Sequence, residues 1–141
     1  MKQELVQDWM TGDVITITPQ TSLAQAHEIM DQKSIRRLPV LDGTNIIGII
    51  TLGDIRGAEP SRASSLSVWE MNNLLASLKA SEVMTRDPVT IQQSASISEA
   101  ARIMLEKKIS GLPVVDVLGQ LVGIITESDI FRLVASEWAK P

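Results

Sequence analysis

Short apolar runs recur along the chain and predict six strands, three in each half. The last run of each half is apolar at almost every position, which is typical of a strand covered on both faces. The runs are Val14–Ile17, Leu38–Leu41 and Ile46–Ile50 in the first half, and Val89–Ile91, Leu112–Val115 and Leu121–Ile125 in the second.

Apolar residues at helical spacing follow the first run of each half and predict a helix there. Each helix begins with a capping-box pattern, Ser22-x-x-Gln25 in the first half and Ser96-x-x-Glu99 in the second. A second helix is predicted directly after the third strand of each half. The residues expected to be buried on the first helices are Leu23, Ala26 and Met30, and Ile97, Ala100 and Met104.

The two halves are copies of one unit. With an offset of 74 residues, Met10–Asp42 lies over Met84–Asp116, and one extra residue near Gly119 then changes the offset to 75. From position 10 to position 55 the copies are identical at 21 of 46 positions. This is an internal duplication of a unit of about 50 residues. Because so small a unit buries its sheet poorly, we expect the copies to pack together.

The duplication divides the chain into three segments. Residues 1–58 hold the first copy and an N-terminal segment, 59–80 a loop and a helix, and 81–141 the second copy and a C-terminal helix. Within the middle segment, Glu59–Ser67 is rich in Ser, Ala and Pro and predicts a loop. Val68–Leu78 has the spacing of an amphipathic helix, which would either close over the core or bind a partner.

Composition narrows the possible functions. The net charge of −4 argues against broad binding of nucleic acid. No apolar run is long enough for a membrane span and no signal peptide is recognisable, so a cytoplasmic protein is expected. Without cysteine and with only His27, a transition-metal site is not expected. No pair of groups suggests acid–base catalysis. The three tryptophans, Trp9, Trp69 and Trp138, are expected to anchor helices or to form dimer contacts.

Several motifs together carry a family resemblance. Each copy opens with Met-Thr, continues through a Leu-Pro-Val strand that ends in Asp, and closes with Gly-Ile-Ile-Thr-x-x-Asp. In this order and duplication they resemble a CBS-domain pair, or Bateman module, from about Val6 to Val134. The long insert is similar to that of stand-alone bacterial CBS proteins of the acetoin-utilisation type.

The resemblance implies an α/β fold of two tandem β-α-β-β-α repeats, packed through their sheets with pseudo-twofold symmetry. It also implies two clefts that bind an adenosine nucleotide (AMP, ADP or ATP) or S-adenosylmethionine as a regulatory ligand, with no required cofactor. Such modules commonly form homodimers, and they regulate a separate protein by a conformational change. Catalysis is not expected.

The closing Thr-x-x-Asp motif has two interpretations. A threonine before a helix can cap it, and an aspartate three residues later is favoured by the helix dipole. The same geometry can bind a ligand, because a helix N-terminus attracts phosphate and a carboxylate can accept the hydroxyls of a ribose. A ligand-free dimerisation scaffold, in which both motifs only cap helices, therefore stays an alternative.

In the family, the Thr/Asp pair of one repeat works with strands of the other repeat. The favoured cleft would have two arginines, whose planar guanidinium groups suit phosphate oxygens. The second cleft would have serine and glycine at the corresponding positions, so it would hold an uncharged adenosyl ligand, bind weakly or stay empty. The residues implied are Thr126, Ser128, Asp129, Ile15, Thr16, Ile35, Arg36 and Arg37 for the favoured cleft, and Thr51, Asp54, Val89, Thr90, Ile109, Ser110 and Gly111 for the second.

Overall fold

A computed structural model of the protein describes residues 4–59 and 67–140. The predicted loop Glu59–Ser67 lies mostly outside these residues. The helices are α1 Val6–Trp9, α2 Leu23–Lys33, α3 Leu52–Ala58, α4 Val68–Ser77, α5 Ala80–Val83, α6 Ile97–Lys107 and α7 Glu127–Trp138. The strands are β1 Arg37–Asp42, β2 Asn45–Thr51, β3 Thr85–Arg86, β4 Ile91–Gln92, β5 Gly111–Val115 and β6 Leu121–Thr126.

The chain divides into two compact units, Ile15–Pro88 and a second made of Met1–Val14 with Val89–Pro141. In the described part of Ile15–Pro88, one sheet has the order β1-β2-β3, and both neighbouring pairs are antiparallel. Ile17 adds a single parallel bridge to Val40 at the outer side of β1. The predicted strand Val14–Ile17 is thus reduced to one paired residue.

The other unit has the same plan. In its described part, β4 pairs with β5 in parallel and β5 pairs with β6 antiparallel. Thr11 forms an antiparallel bridge to Ile124 of β6, with mutual backbone hydrogen bonds of 2.9 Å. Both hairpins turn at a glycine in the left-handed region, Gly43 with φ 63° and Gly119 with φ 81°.

The Met-Thr opening of each copy pairs with the last strand of the opposite copy. Thr85 pairs with Ile49 of β2, and Thr11 with Ile124 of β6. The compact units therefore do not coincide with the sequence segments 1–58 and 81–141. Each unit combines the body of one copy with the opening of the other, a pairing that a repeat alignment cannot reveal.

The predicted helix starts and core residues are confirmed. Ser22 accepts from the Gln25 N–H at 3.1 Å, and Ser96 accepts from the Glu99 N–H at 3.1 Å. Each unit has its own hydrophobic core behind these helices. The six residues named from helical spacing are all buried: Leu23, Ala26, Met30, Ile97, Ala100 and Met104.

The tryptophans divide into one packed and two exposed side chains. Trp9 packs against the core of its unit, as expected for a helix anchor. Trp69 and Trp138 are 72% and 82% exposed, so they do not anchor helices within this chain, and dimer contacts stay the prediction for them. His27 is exposed on α2. None of the helices in the described residues is long and apolar enough to cross a membrane.

Candidate functional site

The first Thr-x-x-Asp motif forms a complete capping box where β2 passes into α3. The Thr51 N–H donates to Asp54 Oδ2 at 2.9 Å, and the Asp54 N–H donates to Thr51 Oγ1 at 3.1 Å. Asp54 is half-buried, and among the described residues its Oδ1 accepts no hydrogen bond. One carboxylate oxygen therefore fixes the helix start while the other keeps its acceptor capacity.

The second motif holds its carboxylate differently. The Thr126 N–H and the Thr126 hydroxyl both donate to Asp129 Oδ2, at 2.9 and 3.2 Å. Asp129 is only 5% exposed and is the one buried polar side chain among the described residues. Its burial requires these donors, because an unpaired carboxylate away from water is costly.

Arg132 provides a further partner for Asp129. Its Nη2 donates to Asp129 Oδ1 at 2.5 Å and to the Trp9 carbonyl oxygen at 3.2 Å. The guanidinium lies over the Trp9 ring, 5.8 Å from its centroid, and Trp9 Nε1 donates to Glu4 Oε2 at 3.3 Å. A chain of polar contacts thus joins the start of α7 to α1.

Arg132 is a site-adjacent residue that sequence reasoning missed. The signal was available, because Arg132 lies one helical turn after Asp129, at the spacing of a helix ion pair. The corresponding residue after Asp54 is Gly57, so the first copy has no such partner. The two helix starts therefore differ in charge balance within their own units, and not only through residues expected from the opposite copy.

In each unit the motif lies next to the residues that begin the paired hairpin strand, which is β1 in one unit and β5 in the other. Arg37 pairs with Thr51 in the β1–β2 ladder, and the Leu52 N–H donates to the Arg36 carbonyl at 2.8 Å. In the other unit Gly111 pairs with Thr126, and the Glu127 N–H donates to the Ser110 carbonyl at 3.1 Å.

The remaining candidate residues are distributed over the two units as follows. Arg36, Ser110 and Ser128 are exposed, and Val89 is 40% exposed. The assignment of Arg36 and Arg37 to the Asp129 site joins residues of different units and stays a prediction. Ile15, Thr16, Ile35 and Arg37 are half-buried in Ile15–Pro88, and Thr90, Ile109 and Thr126 are half-buried in the other unit.

The described residues contain no group of three or more His, Asp or Glu side chains that could hold a metal ion. Both motifs offer a threonine, a carboxylate at the third helical position and the positive end of a helix dipole, and the first N–H group of each helix already donates to the carbonyl oxygen of Arg36 or Ser110. This is chemistry for hydrogen bonding to a polyhydroxylated or anionic ligand.

A scan of protein families decides the membership of the chain. The CBS domain model matches twice, at residues 6–61 and 80–136, and the two matches together span most of the sequence. The chain belongs to the CBS-domain family. The resemblance inferred from the repeated motifs is thereby confirmed.

The curated relatives include a protein that the match covers almost completely and a larger enzyme that it covers only in part. A CBS domain-containing protein of Dictyostelium discoideum is 37% identical over 130 residues, which cover 92% of this chain and 90% of that protein. An inosine-5'-monophosphate dehydrogenase of Korarchaeum cryptofilum is 34% identical over 125 residues. There the match covers 89% of this chain and only 23% of the enzyme.

Solved CBS pairs share the fold over nearly their whole length. CBSX2, solved in complex with AMP, matches with a TM-score of 0.82 and 28% identity, covering 96% of this chain and 99% of that chain. The CBS pair of protein MJ0100, solved with 5'-methylthioadenosine and S-adenosyl-L-methionine, has a TM-score of 0.79 and 31% identity, with coverage of 96% and 98%. A putative acetoin utilization protein from Vibrio cholerae has a TM-score of 0.76 and 29% identity, with coverage of 97% and 98%.

Proposed function

We propose that this CBS pair is a regulatory module that binds an adenosine-containing ligand and signals by a change of conformation or dimer geometry. The observation that carries the proposal is the pair of Thr-x-x-Asp helix starts at the ends of β2 and β6. Two solved relatives, at 28% and 31% identity, are complexes with adenosyl ligands. A separate regulated protein and a homodimeric assembly belong to the same proposal.

The chemistry of the helix starts supports this ligand class. The N–H groups of a first helical turn favour phosphate, and a carboxylate at the third position can accept both hydroxyls of a ribose. Hydrogen bonds to a charged group contribute roughly 1.5–3 kcal/mol each, so a few of them with adenine burial would give micromolar binding, about −8 kcal/mol. Within the part of the chain that the structure describes, nothing donates to Asp54 Oδ1, so this oxygen could accept a ribose hydroxyl.

We further propose that the two sites are unequal, with the phosphate-bearing ligand at the Asp129 site. Arg36 and Arg37 would neutralise its phosphate there. Arg132 adds a third cation, which lies on α7 together with Asp129. Its side chain is 60% exposed despite its bond to Asp129. When a ribose hydroxyl donates to Asp129, Arg132 can turn toward the phosphate, because its guanidinium has donors to spare.

Calorimetric titration with AMP, ADP, ATP, S-adenosylmethionine and NADH tests the proposal. At least one adenosyl compound is expected to bind with a micromolar dissociation constant. At 100 times that constant it would stabilise the fold by about 2.7 kcal/mol, which raises Tm by roughly 5–10 °C in a protein of this size. Absence of heat and of a Tm shift with every adenosyl compound would refute adenosyl binding.

Paired variants test the unequal sites. Asp129→Ala is expected to abolish nucleotide binding, and Asp54→Ala to weaken it less. Asp31→Ala, an exposed carboxylate on α2, is the matched control and should leave binding unchanged. Equal losses from Asp129→Ala and Asp54→Ala, in variants whose folded state is checked by circular dichroism, would contradict the assignment.

The second candidate is a ligand-free dimerisation scaffold. It is favoured by the carboxylate of Asp129, which already has three donors within the chain. Phe131 and Trp138 of α7 are 66% and 82% exposed at a seven-residue spacing, which places two large apolar side chains along one helix face. Light scattering on Phe131→Ser/Trp138→Ser would give a monomer if this face holds a dimer together.

A further inference from the structure

A groove of about 590 Å³ lies within the unit Ile15–Pro88, away from the Thr51–Asp54 helix start. It is bordered by the Thr18–Gln20 segment, by the β1–β2 hairpin at Leu41–Gly43 and by the segment from α5 to β3. Asn45 begins β2 and Thr51 ends it, so the hairpin and the Thr51 motif are at opposite ends of that strand. The volume is within the range of small-molecule sites.

Two opposite charges line this groove without being paired. Asp42 and Arg86 are both exposed lining residues, and among the described residues neither side chain forms a hydrogen bond or an ion pair. Asp42 pairs with Asn45 and Arg86 with Gly48 on either side of β2. From strand geometry, the two Cα atoms are roughly 14 Å apart. An extended arginine side chain would span part of that distance and leave room for a small molecule between the charges.

The rest of the lining is an apolar surface with a few polar groups. Leu41 and Ile47 are half-buried and Met84 is 8% exposed, so aliphatic and thioether atoms form part of the wall. Gln20 and Ser81 add polar side chains that make no hydrogen bond of their own among the described residues. A few polar groups over an apolar surface are typical of a ligand site.

We propose that this groove binds a free α-amino acid with an aliphatic or thioether side chain. Arg86 pairs with the carboxylate, Asp42 with the ammonium group, and the ligand side chain packs on Leu41, Ile47 and Met84. A simple anion would meet repulsion from Asp42, and a simple cation would meet repulsion from Arg86. A zwitterion satisfies both charges within one molecule, and a guanidinium–carboxylate pair is among the strongest hydrogen-bonded pairs.

The duplicated copy shows that these charges are not a requirement of the fold. Position 86 corresponds to Gly12, so the arginine is lacking there. Asp42 corresponds to Asp116, whose Oδ1 accepts the N–H groups of Leu118 and Gln120 at 2.9 and 3.0 Å. In the second copy the aspartate therefore holds the turn. In the first copy the turn forms at Gly43, and the Asp42 side chain has no partner among the described residues. The proposed site is accordingly single, and it is independent of the adenosyl site.

Calorimetry or ligand-observed NMR on the whole chain tests the proposal with three matched compounds: leucine, leucine amide and N-acetyl-leucine. The amide lacks the carboxylate and the acetyl compound lacks the ammonium group. Leucine is expected to bind at least about tenfold more tightly than either analogue. Equal binding of N-acetyl-leucine, or no binding of leucine or methionine up to about 10 mM, would overturn the proposal.

Charge variants place the site. Arg86→Gln and Asp42→Asn are each expected to weaken leucine binding about tenfold or more, because each removes one ion pair. Arg102→Gln and Asp31→Asn change exposed charges on α6 and α2, outside the groove lining, and should leave binding unchanged. Asp129→Ala should also leave it unchanged, which separates this site from adenosyl binding. Leucine binding that survives both groove variants would show that the amino acid binds elsewhere.

Discussion

At the scale of single residues, the glycine of each Gly-Ile-Ile-Thr run has a clear structural cause. A Cβ on Gly123 would lie 2.5 Å from Met10 Sδ and 2.9 Å from the Thr11 carbonyl oxygen. A Cβ on Gly48 would overlap Met84 Sδ and lie 3.0 Å from the Thr85 carbonyl oxygen. The glycine is therefore required by the close approach of the Met-Thr opening, because a backbone oxygen cannot move aside as a side chain can.

Gly123→Ala is expected to destabilise the protein by about 1–3 kcal/mol, since overpacking forces backbone shifts. The measurement is urea unfolding followed by circular dichroism. Gly57→Ala is the matched control, because its Cβ would meet nothing within 4 Å and it lies inside α3. Alanine is the better helix former, so the control should gain up to about 1 kcal/mol. A Gly123→Ala protein as stable as the wild type would contradict the close-approach argument.

Arg132 is expected to serve both stability and ligand binding. Arg132→Gln removes the one cation that is bonded to the buried Asp129 among the described residues, and the loss should be about 1 kcal/mol, since water reaches the exposed arginine and screens the pair. The loss should shrink at high salt. If Arg132 also contacts phosphate, ATP affinity falls more than the affinity for adenosine. Equal losses for both compounds would restrict Arg132 to holding α7 against α1.

At the scale of elements, the burial of the side chains of α4 bears on whether this insert helix closes over the core or binds a partner. Leu75 is 8% exposed and belongs to the core of its unit, whereas Val68 and Trp69 are 75% and 72% exposed. The helix thus closes over the core through one residue and leaves two large apolar side chains outside. Both interpretations are compatible with this arrangement, since they use different faces of the helix.

Leu75→Ala is expected to cost about 2–3 kcal/mol, because it removes buried methyl groups and leaves a cavity. Trp69→Ala should change the free energy of unfolding by less than about 0.5 kcal/mol, as for other exposed positions. Thermal unfolding of both variants side by side provides the comparison. A large loss from Trp69→Ala in dilute solution would mean that the tryptophan is covered, for example by a second copy, and the loss would then depend on protein concentration.

Strands and helices with a strong local signal could be predicted from the sequence, and pairings between distant segments could not. The cap at Ser22 and the core positions of α2 and α6 follow from spacing alone. The bridge of Thr11 to Ile124 and the bond of Arg132 to the Trp9 carbonyl join residues more than 100 positions apart. No local pattern encodes such contacts. Val14–Ile17 has the local pattern of a strand, but whether it pairs depends on its contact with the distant strand β1. Only Ile17 reaches a partner there, Val40.

At the scale of the whole molecule, the division into units follows the exchanged openings. Val6 is fully buried in the core that contains α6, β5 and β6, and its N–H donates to the Ala95 carbonyl at 2.8 Å. The second sequence repeat therefore lacks part of its own core when it is isolated. The pKa of Lys140 is raised, chiefly by its hydrogen bond to Glu137 and in smaller part by the charge of Glu4.

This arrangement makes a prediction about fragments. A chain of residues 81–141 contains the complete second repeat and is expected to be unfolded, because Val6 and the Thr11 bridge are missing. A permuted chain that runs from 89 to 141, through a short Gly/Ser linker, and then from 1 to 14 restores both and is expected to fold. The folding of the two chains would be compared by far-ultraviolet circular dichroism and by the spread of the amide proton chemical shifts in NMR spectra.

The control is the permuted chain with Val6→Asp, which places an unpaired charge in the core and should abolish the gain. Because the permuted chain contains residues 1–14 and the chain 81–141 lacks them, a difference in folding measures what the exchanged opening contributes. A cooperative unfolding transition in 81–141 alone would show that the sequence repeat, and not the compact unit, is the folding unit of this protein.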